Sequence, residues 1–212
     1  MTLQELNASL HNCQRCKLAK LGRTKVVFGT GNPNASIMFV GEAPGFNEDQ
    51  LGEPFVGAAG KLLDKLLESA GLSRAQVYIA NVIKCRPPNN RDPEPDEVET
   101  CKPFLLQQIE MIQPKLVCTL GNWATQTILE KKVGITKVKG QAIKLERFVV
   151  FPLLHPAAAL HQGNLLETLH EDFKKLKAYL DRMDAPVAQT VPAATAPASP
   201  AAAQPQLDLF GS

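Results

Sequence analysis

Four short apolar runs rich in β-branched residues, at 36–40, 77–82, 116–120 and 148–154, alternate with helix-like stretches, and this limits the chain to few architectures. Residues 61–70 carry leucines at 62, 63, 66 and 67 with charges between them and stop at Gly71, as helices commonly do. Residues 95–112 open with proline and acids suited to a helix amino terminus, and 122–130 and 165–180 complete the helical set. Strands alternating with helices build right-handed crossover units, hence a mostly parallel sheet covered on both faces. The expected fold is therefore α/β, a three-layer α/β/α arrangement with a central four-stranded, mostly parallel sheet. Ligands of such sheets sit beyond the carboxyl ends of the strands. That directs attention to residues 41–55, 81–91, 121–123 and 155–160.

A chain of 212 residues with 44% hydrophobic content can bury one ordinary core. Residues 185–205 hold nine alanines and five prolines, with no charge and no aromatic ring, and so have almost nothing to bury. Residues 1–182 are expected to form the folded domain and 183–212 a disordered Ala/Pro-rich tail. All 23 basic residues lie in 1–182 with 19 of the acidic ones, so that segment carries a net +4, compatible with a phosphate backbone as partner. No signal peptide is read at the start, and no apolar run reaches the roughly 18 residues that cross a bilayer. A cytoplasmic or nucleoid location is expected, for a monomer without membrane contact.

The segment at 41–60, GEAPGFNEDQLGEPFVGAAG, follows the first run directly and packs five glycines, four acids and two phenylalanines into twenty positions. Glycine lets backbone approach a ligand, phenylalanine offers a flat face, and a carboxylate such as Glu42 can steer charge or water.

Five cysteines outside an oxidising setting argue for metal or core roles rather than disulfides. Cys118, inside the apolar run LVCTL, reads as a small core hydrophobe. Cys13 and Cys16 form a C-x-x-C pair, and Cys85 and Cys101 would supply the other corners of a tetrahedral sulfur site from polar loops. Lys84 and Arg86 flank Cys85 and are expected to favour its thiolate. Such ligation admits zinc or an iron–sulfur cluster, and the wide second spacing leans toward a cluster that ties the amino-terminal helix to residues 85–101.

Taken together, GEAPG at 41–45, GEPFVGAAG at 52–60, VYIANVIKCRPPNNR at 77–91, the four cysteines and the His-Pro pair at 155–156 resemble the family 4 uracil-DNA glycosylases, the iron–sulfur branch of that superfamily. The resemblance covers residues 3–181 and implies release of uracil from DNA with a 4Fe-4S cluster on Cys13, Cys16, Cys85 and Cys101, zinc being the alternative. A base inside a duplex is out of reach, so the nucleotide must be extruded into a pocket. Phe55 is suited to stack on that base. The amide of Asn81 matches uracil N3–H and O4, and His155, held extended by Pro156, can donate to uracil O2 as charge leaves on the base. Glu42 would face the oxocarbenium-like sugar and orient water, a role that needs it ionised.

The resemblance further implies that backbone around Gly41, Glu42 and Ala43 binds uracil and that Glu48 crowds the 5-position against thymine. Phe46 and Asn47 replace a more acidic sequence in this turn, and Ala158, Ala159, Leu160 and His161 replace the family's bulkier continuation after His155. Leu160 is the candidate wedge into DNA; Lys84, Arg86, Arg91 and Lys137 are candidate phosphate contacts. The segment RPPNNRDPEP holds no histidine, so plain hydrolysis without a covalent sugar adduct is expected.

The last residues, Gln206, Leu207, Asp208, Leu209 and Phe210, resemble the short motif by which bacterial repair proteins dock on the sliding clamp. The preceding tether could extend roughly 65 Å at about 3.1 Å per residue. Two rival readings are a non-catalytic cluster protein that binds nucleic acid, and a nucleotide-binding enzyme. The second lacks any G-x-G-x-x-G or P-loop pattern. A glycosylase acting on a wider range of deaminated bases also remains open.

Overall fold

The four apolar runs pair as the parallel centre of a single sheet in a computed structural model that describes residues 1–184. In chain order the elements are α1 (Leu3–Leu10), β1 (Thr30–Gly31), β2 (Ile37–Gly41), α2 (Phe46–Leu51), α3 (Ala58–Ser69), β3 (Tyr78–Asn81), α4 (Pro95–Ile112) and β4 (Leu116–Leu120). They continue with α5 (Asn122–Leu129), α6 (Ile135–Val138), β5 (Ile143–Lys144), β6 (Val149–Leu153), α7 (Pro156–His161) and α8 (Leu165–Asp184).

Strand order is β1-β3-β2-β4-β6-β5. The inner four are mutually parallel, with Met38 level with Tyr78 and Val117, and Cys118 level with Phe39 and Phe151. β1 and β5 are two-residue antiparallel edge strands, so the sheet has six strands where the apolar runs indicated four. Neither edge piece is long enough to show a periodic signal, and such short edges resist unwanted pairing with other chains. Pro152 lies on β6 beyond the last residue paired with β5, where its missing N–H leaves no gap in that ladder.

Alternation along each strand sends neighbours to opposite faces. Phe39, Phe151 and Leu153 meet Leu63 and Leu67 of α3 and Leu169 and Phe173 of α8 on one side. Met38, Val40, Ala80 and Val117 meet Leu105 and Ile109 of α4 and Ala124 and Ile128 of α5 on the other. These layers are the three expected, and each fully buried Leu or Phe adds roughly 1.5–3 kcal/mol. Cys118 is fully buried in this centre, and burial pushes its thiol pKa up, in keeping with a core role.

Helix α4 begins where proline and acids indicated: Glu94 and Glu97 form a reciprocal cap, with Pro95 in the first turn. It ends at Gln113 in a left-handed conformation. No helix among the described residues is long and apolar enough to cross a membrane.

Candidate active site

The carboxyl ends of β2, β3 and β6 open onto a cavity of about 460 Å³. Glu42, Ala43, Glu48, Phe55, Asn81 and His155 all line it, brought from four separate parts of the chain. Gly41 stands behind them: a Cβ there would fall 2.4 Å from Asn81 Oδ1 and 2.6 Å from Phe55 Cζ, so glycine is what lets those two side chains close over the strand end.

Asn81 ends β3 with only 2% of its surface exposed. Its Oδ1 is the one buried side-chain nitrogen or oxygen without a hydrogen-bond partner among the described residues. An unpaired buried acceptor costs about 1–3 kcal/mol, so a donor entering the cavity there is strongly favoured.

Phe55 is 5% exposed and holds φ at 55°, a left-handed conformation uncommon outside glycine. Two features impose it. A Cβ on Gly60 of α3 would fall 1.7 Å from the Phe55 carbonyl oxygen, so α3 packs directly on this turn. Arg74 donates through Nη2 to the Phe55 carbonyl and through Nη1 to the Pro54 carbonyl at 3.2 Å, while its Nε pairs with Asp64.

His155 is extended, with φ −70° and ψ 131°, and caps α7, whose first residue is Pro156. Its Nδ1 accepts from the Ala157 N–H at 3.2 Å. Burial lowers its pKa to about 4, with the Glu48 charge opposing, so the ring is neutral near pH 7. A neutral imidazole that accepts at Nδ1 carries its hydrogen on Nε2. The ring is thus a built-in donor that needs no positive charge.

Glu42 is the first residue past β2, and burial pushes its pKa up to about 7, with the Asp92 charge adding to the rise. Glu48 also lines the cavity, but its Oε1 accepts from the Val56 and Gly57 N–H groups at 2.9 and 2.8 Å. It therefore fastens the 52–57 turn that carries Phe55. Asp49 beside it is fully buried and accepts from the Thr24 N–H at 2.9 Å, anchoring α2.

Cys16, Cys85 and Cys101 pack in the core cluster on the α4 side of the sheet, and Arg23 bridges Cys85 to the Cys13 carbonyl. Ionisation of Cys85 is opposed by burial and then by Cys101 and Cys16, and that of Cys101 by burial and then by Cys16 and Cys13. Burial pushes the Cys85 thiol up to about 12, so a ligand that draws out the proton must stabilise the thiolate. Cys101 sits on helix α4 rather than in a polar loop. The cation touching Cys85 Sγ is Arg23, through Nη1 at 3.4 Å, with its Nη2 on the Cys13 carbonyl at 2.6 Å. Lys84 and Arg86, the sequence neighbours, point elsewhere. No three His, Cys, Asp or Glu side chains among the described residues meet the geometry of a single-ion site.

Lys84 is no phosphate contact. It is 1% exposed, with Nζ donating to the Asn81 carbonyl at 2.8 Å and to Gln108 Oε1 at 2.6 Å. Arg91 lines the cavity with its guanidinium on Glu97. Arg86 donates to Asn90, Lys137 is exposed, and Leu160 is 50% exposed on α7. Arg23, Arg74, Asp92 and Asn90 were not singled out from sequence; Asn90 lies within the strand-end segment 81–91 and Asp92 just past it, whereas Arg23 and Arg74 carry no such signal. The motif at Gln206, Leu207, Asp208, Leu209 and Phe210 lies outside the described residues.

Residues 28–181 match the family model described as the uracil DNA glycosylase superfamily, and the sheet-end cavity with its buried amide and neutral histidine suits that class. The type-4 uracil-DNA glycosylase of Sulfurisphaera tokodaii is 51% identical over 83% of this chain and 84% of its own length. Those of Archaeoglobus fulgidus and Thermotoga maritima are 47% and 44% identical, over 82% and 85% of this chain and 92% and 95% of theirs. The chain belongs to the type-4 uracil-DNA glycosylases.

Proposed function

We propose that this protein hydrolyses the N-glycosidic bond of uracil in DNA, releasing the base and leaving an abasic site. The observation that carries the reading is the orphaned Asn81 Oδ1 in a cavity that also holds a neutral donor on His155. Uracil supplies a donor at N3–H for Oδ1, an acceptor at O4 for the amide nitrogen, and an acceptor at O2 for His155 Nε2–H. Cytosine reverses the first two and leaves buried groups unpaired.

As the bond from the base nitrogen to C1′ breaks, its electron pair leaves on the base and the sugar gains oxocarbenium character. His155 donates to the developing charge at O2, and ionised Glu42 faces the sugar and takes a proton from the attacking water. The released base anion is protonated by solvent. Phe55 floors the base, Glu48 borders its 5-position while holding the Phe55 turn, and backbone of Gly41, Glu42 and Ala43 completes the pocket. Leu160 at the rim is the wedge that enters the strand.

Cys13, Cys16, Cys85 and Cys101 would hold a 4Fe-4S cluster, a reading that the four-thiol donor set and the Arg23 and Lys84 N–H groups on it support. Its contribution is to cross-link the amino-terminal segment to α4 and the loop after β3. The protein would act as a cytoplasmic monomer, at the nucleoid when on DNA, with residues 206–210 docking on a sliding clamp. Deletion of residues 205–212 should abolish clamp pull-down and spare base release; unchanged pull-down ends the clamp reading.

The direct test is incubation with uracil, hypoxanthine and T·G oligonucleotides, single- and double-stranded, followed by alkaline cleavage. Cleavage only at uracil is expected; absence of any uracil-dependent product overturns the reading, and an absorbance spectrum of the same sample separates iron–sulfur from zinc.

A further inference from the structure

Phe46 is the one exposed phenylalanine, tyrosine or tryptophan among the described residues, with 55% of its surface open to solvent. It opens helix α2 directly after Gly45, which lines the cavity, so the ring stands at the cavity's rim. One face is covered: the Arg86 guanidinium carbon lies 5.1 Å from the ring centroid. Arg86 is itself fixed, its Nε donating to Asn90 Oδ1 at 2.7 Å. Asn89 and Asn90 both hold φ at 54°, and Asn90 lines the cavity beside Pro87 and Arg91. The cation–aromatic pair is thus assembled from two loops that together form one wall of the mouth.

A large ring left in water beside a cavity mouth gains by covering its open face, and the groups around it say with what. Only the Arg86 Nε has a hydrogen-bond partner among the described residues, so its Nη groups over the ring suit a negatively charged backbone close by. Aromatic rings bind bases through faces that every base possesses, without regard to sequence. Arg91 adds a further guanidinium at the rim, although Glu97 engages it. Leu160 is half exposed on α7, whose Ala157, Ala158 and His161 line the cavity.

We propose that Phe46, backed by Arg86, is the platform on which the base adjacent to the extruded uracil stacks. The position of the strand rests on the glycosylase reading above; the stacking itself is testable without base release. When a nucleotide turns into the cavity its neighbour loses a stacking partner, and Phe46 replaces it. The ring holds the strand at the mouth and takes no part in bond cleavage.

The test compares the full-length protein with Phe46→Ala, Phe46→Leu and Phe46→Tyr. Binding is read by fluorescence anisotropy on single strands without uracil, and KM and kcat on strands with one uracil. Alanine and leucine should each weaken binding and raise KM about 5- to 100-fold with kcat unchanged, and tyrosine should match the parent. Leucine keeps apolar bulk, so its failure to rescue separates stacking from simple burial. Oligonucleotides with an abasic site on one or other side of the uracil complete the cycle: on one of the two, parent and Phe46→Ala should become equal. Unaltered DNA affinity in Phe46→Ala overturns the platform, as does a penalty that persists on both abasic-neighbour strands. An inactive parent protein whose binding still falls in Phe46→Ala would sink the glycosylase reading and leave the platform standing.

Discussion

Phe55 and His155 stack on each other, with ring centroids 5.6 Å apart and planes inclined by 29°. The floor of the cavity and its hydrogen-bond donor are therefore one mechanical unit, although they arrive from the turn before α3 and the end of β6. Part of the Phe55 face is already taken by the imidazole, so on the proposed reading a base would rest against the pair.

Phe55→Leu should consequently impair chemistry as well as binding. Leucine fills most of the volume but gives His155 no flat surface, and a donor left free to tilt loses part of its transition-state stabilisation. A fall in kcat on the order of 10-fold or more, alongside a raised KM, is expected in single-turnover and steady-state assays of uracil release. A change in KM alone would mean that the ring serves only as a floor.

Gly60→Ala tests how the turn is held. Alanine in a helix interior ordinarily stabilises by about 1 kcal/mol relative to glycine. Here the added carbon would fall 1.7 Å from the Phe55 carbonyl oxygen, so α3 must move off the turn or the turn must give up its left-handed backbone. The substitution should lower Tm and activity together, the reverse of what helix propensity dictates, and a higher Tm with full activity would refute the packing argument.

The same contrast shows what could be read from the chain itself. The parallel strands were legible because each is a buried apolar run, and α4 because Pro95 and its acids mark a start. Two of the residues that fasten the site were not. Arg74 reaches Phe55 across nineteen positions, and Arg23 reaches Cys85 across sixty-two; a loop arginine carries no local mark of such a partner. Lys84 was misread as a DNA contact because it flanks a motif in what looks like an exposed loop. The β2–β3 ladder in fact runs on past Asn81, through Val82 N–H to the Gly41 carbonyl and Ile83 N–H to the Glu42 carbonyl, which turns Lys84 inward. Helix α2, at six residues, is too short for periodicity to reveal.

Glu42 should impose one acid limb on the pH profile. Burial and then Asp92 hold its pKa at about 7. The proposed mechanism uses the carboxylate, so kcat/KM should climb with pH, lie roughly tenfold below its plateau one unit under the midpoint, and level off above it. His155, neutral above about 4, adds no limb between pH 5 and 9. Asp92→Asn removes a like charge and should move the midpoint to lower pH, while Glu42→Gln should leave a low, flat profile. A limb that Asp92→Asn leaves in place would assign the titration to another group.

Lys84 poses the sharpest electrostatic question in the molecule. Its ammonium is fully buried with two neutral oxygens as partners, and burial lowers its pKa to about 8 while Cys101 opposes the shift. Its own N–H donates to Cys101 Sγ at 3.3 Å. A buried cation without a carboxylate is costly unless another negative charge is near. A thiolate-ligated cluster would supply that charge. Lys84→Met, close in length and apolar, should then have effects of opposite sign in the two forms of the protein. With iron bound, Tm should fall and iron should be lost faster to a chelator, followed by the decay of visible absorbance. After iron is stripped, the variant should be no less stable than the parent, because the uncompensated charge is gone even though Asn81 and Gln108 lose a donor. Equal destabilisation in both forms would show that Lys84 matters only for those two hydrogen bonds.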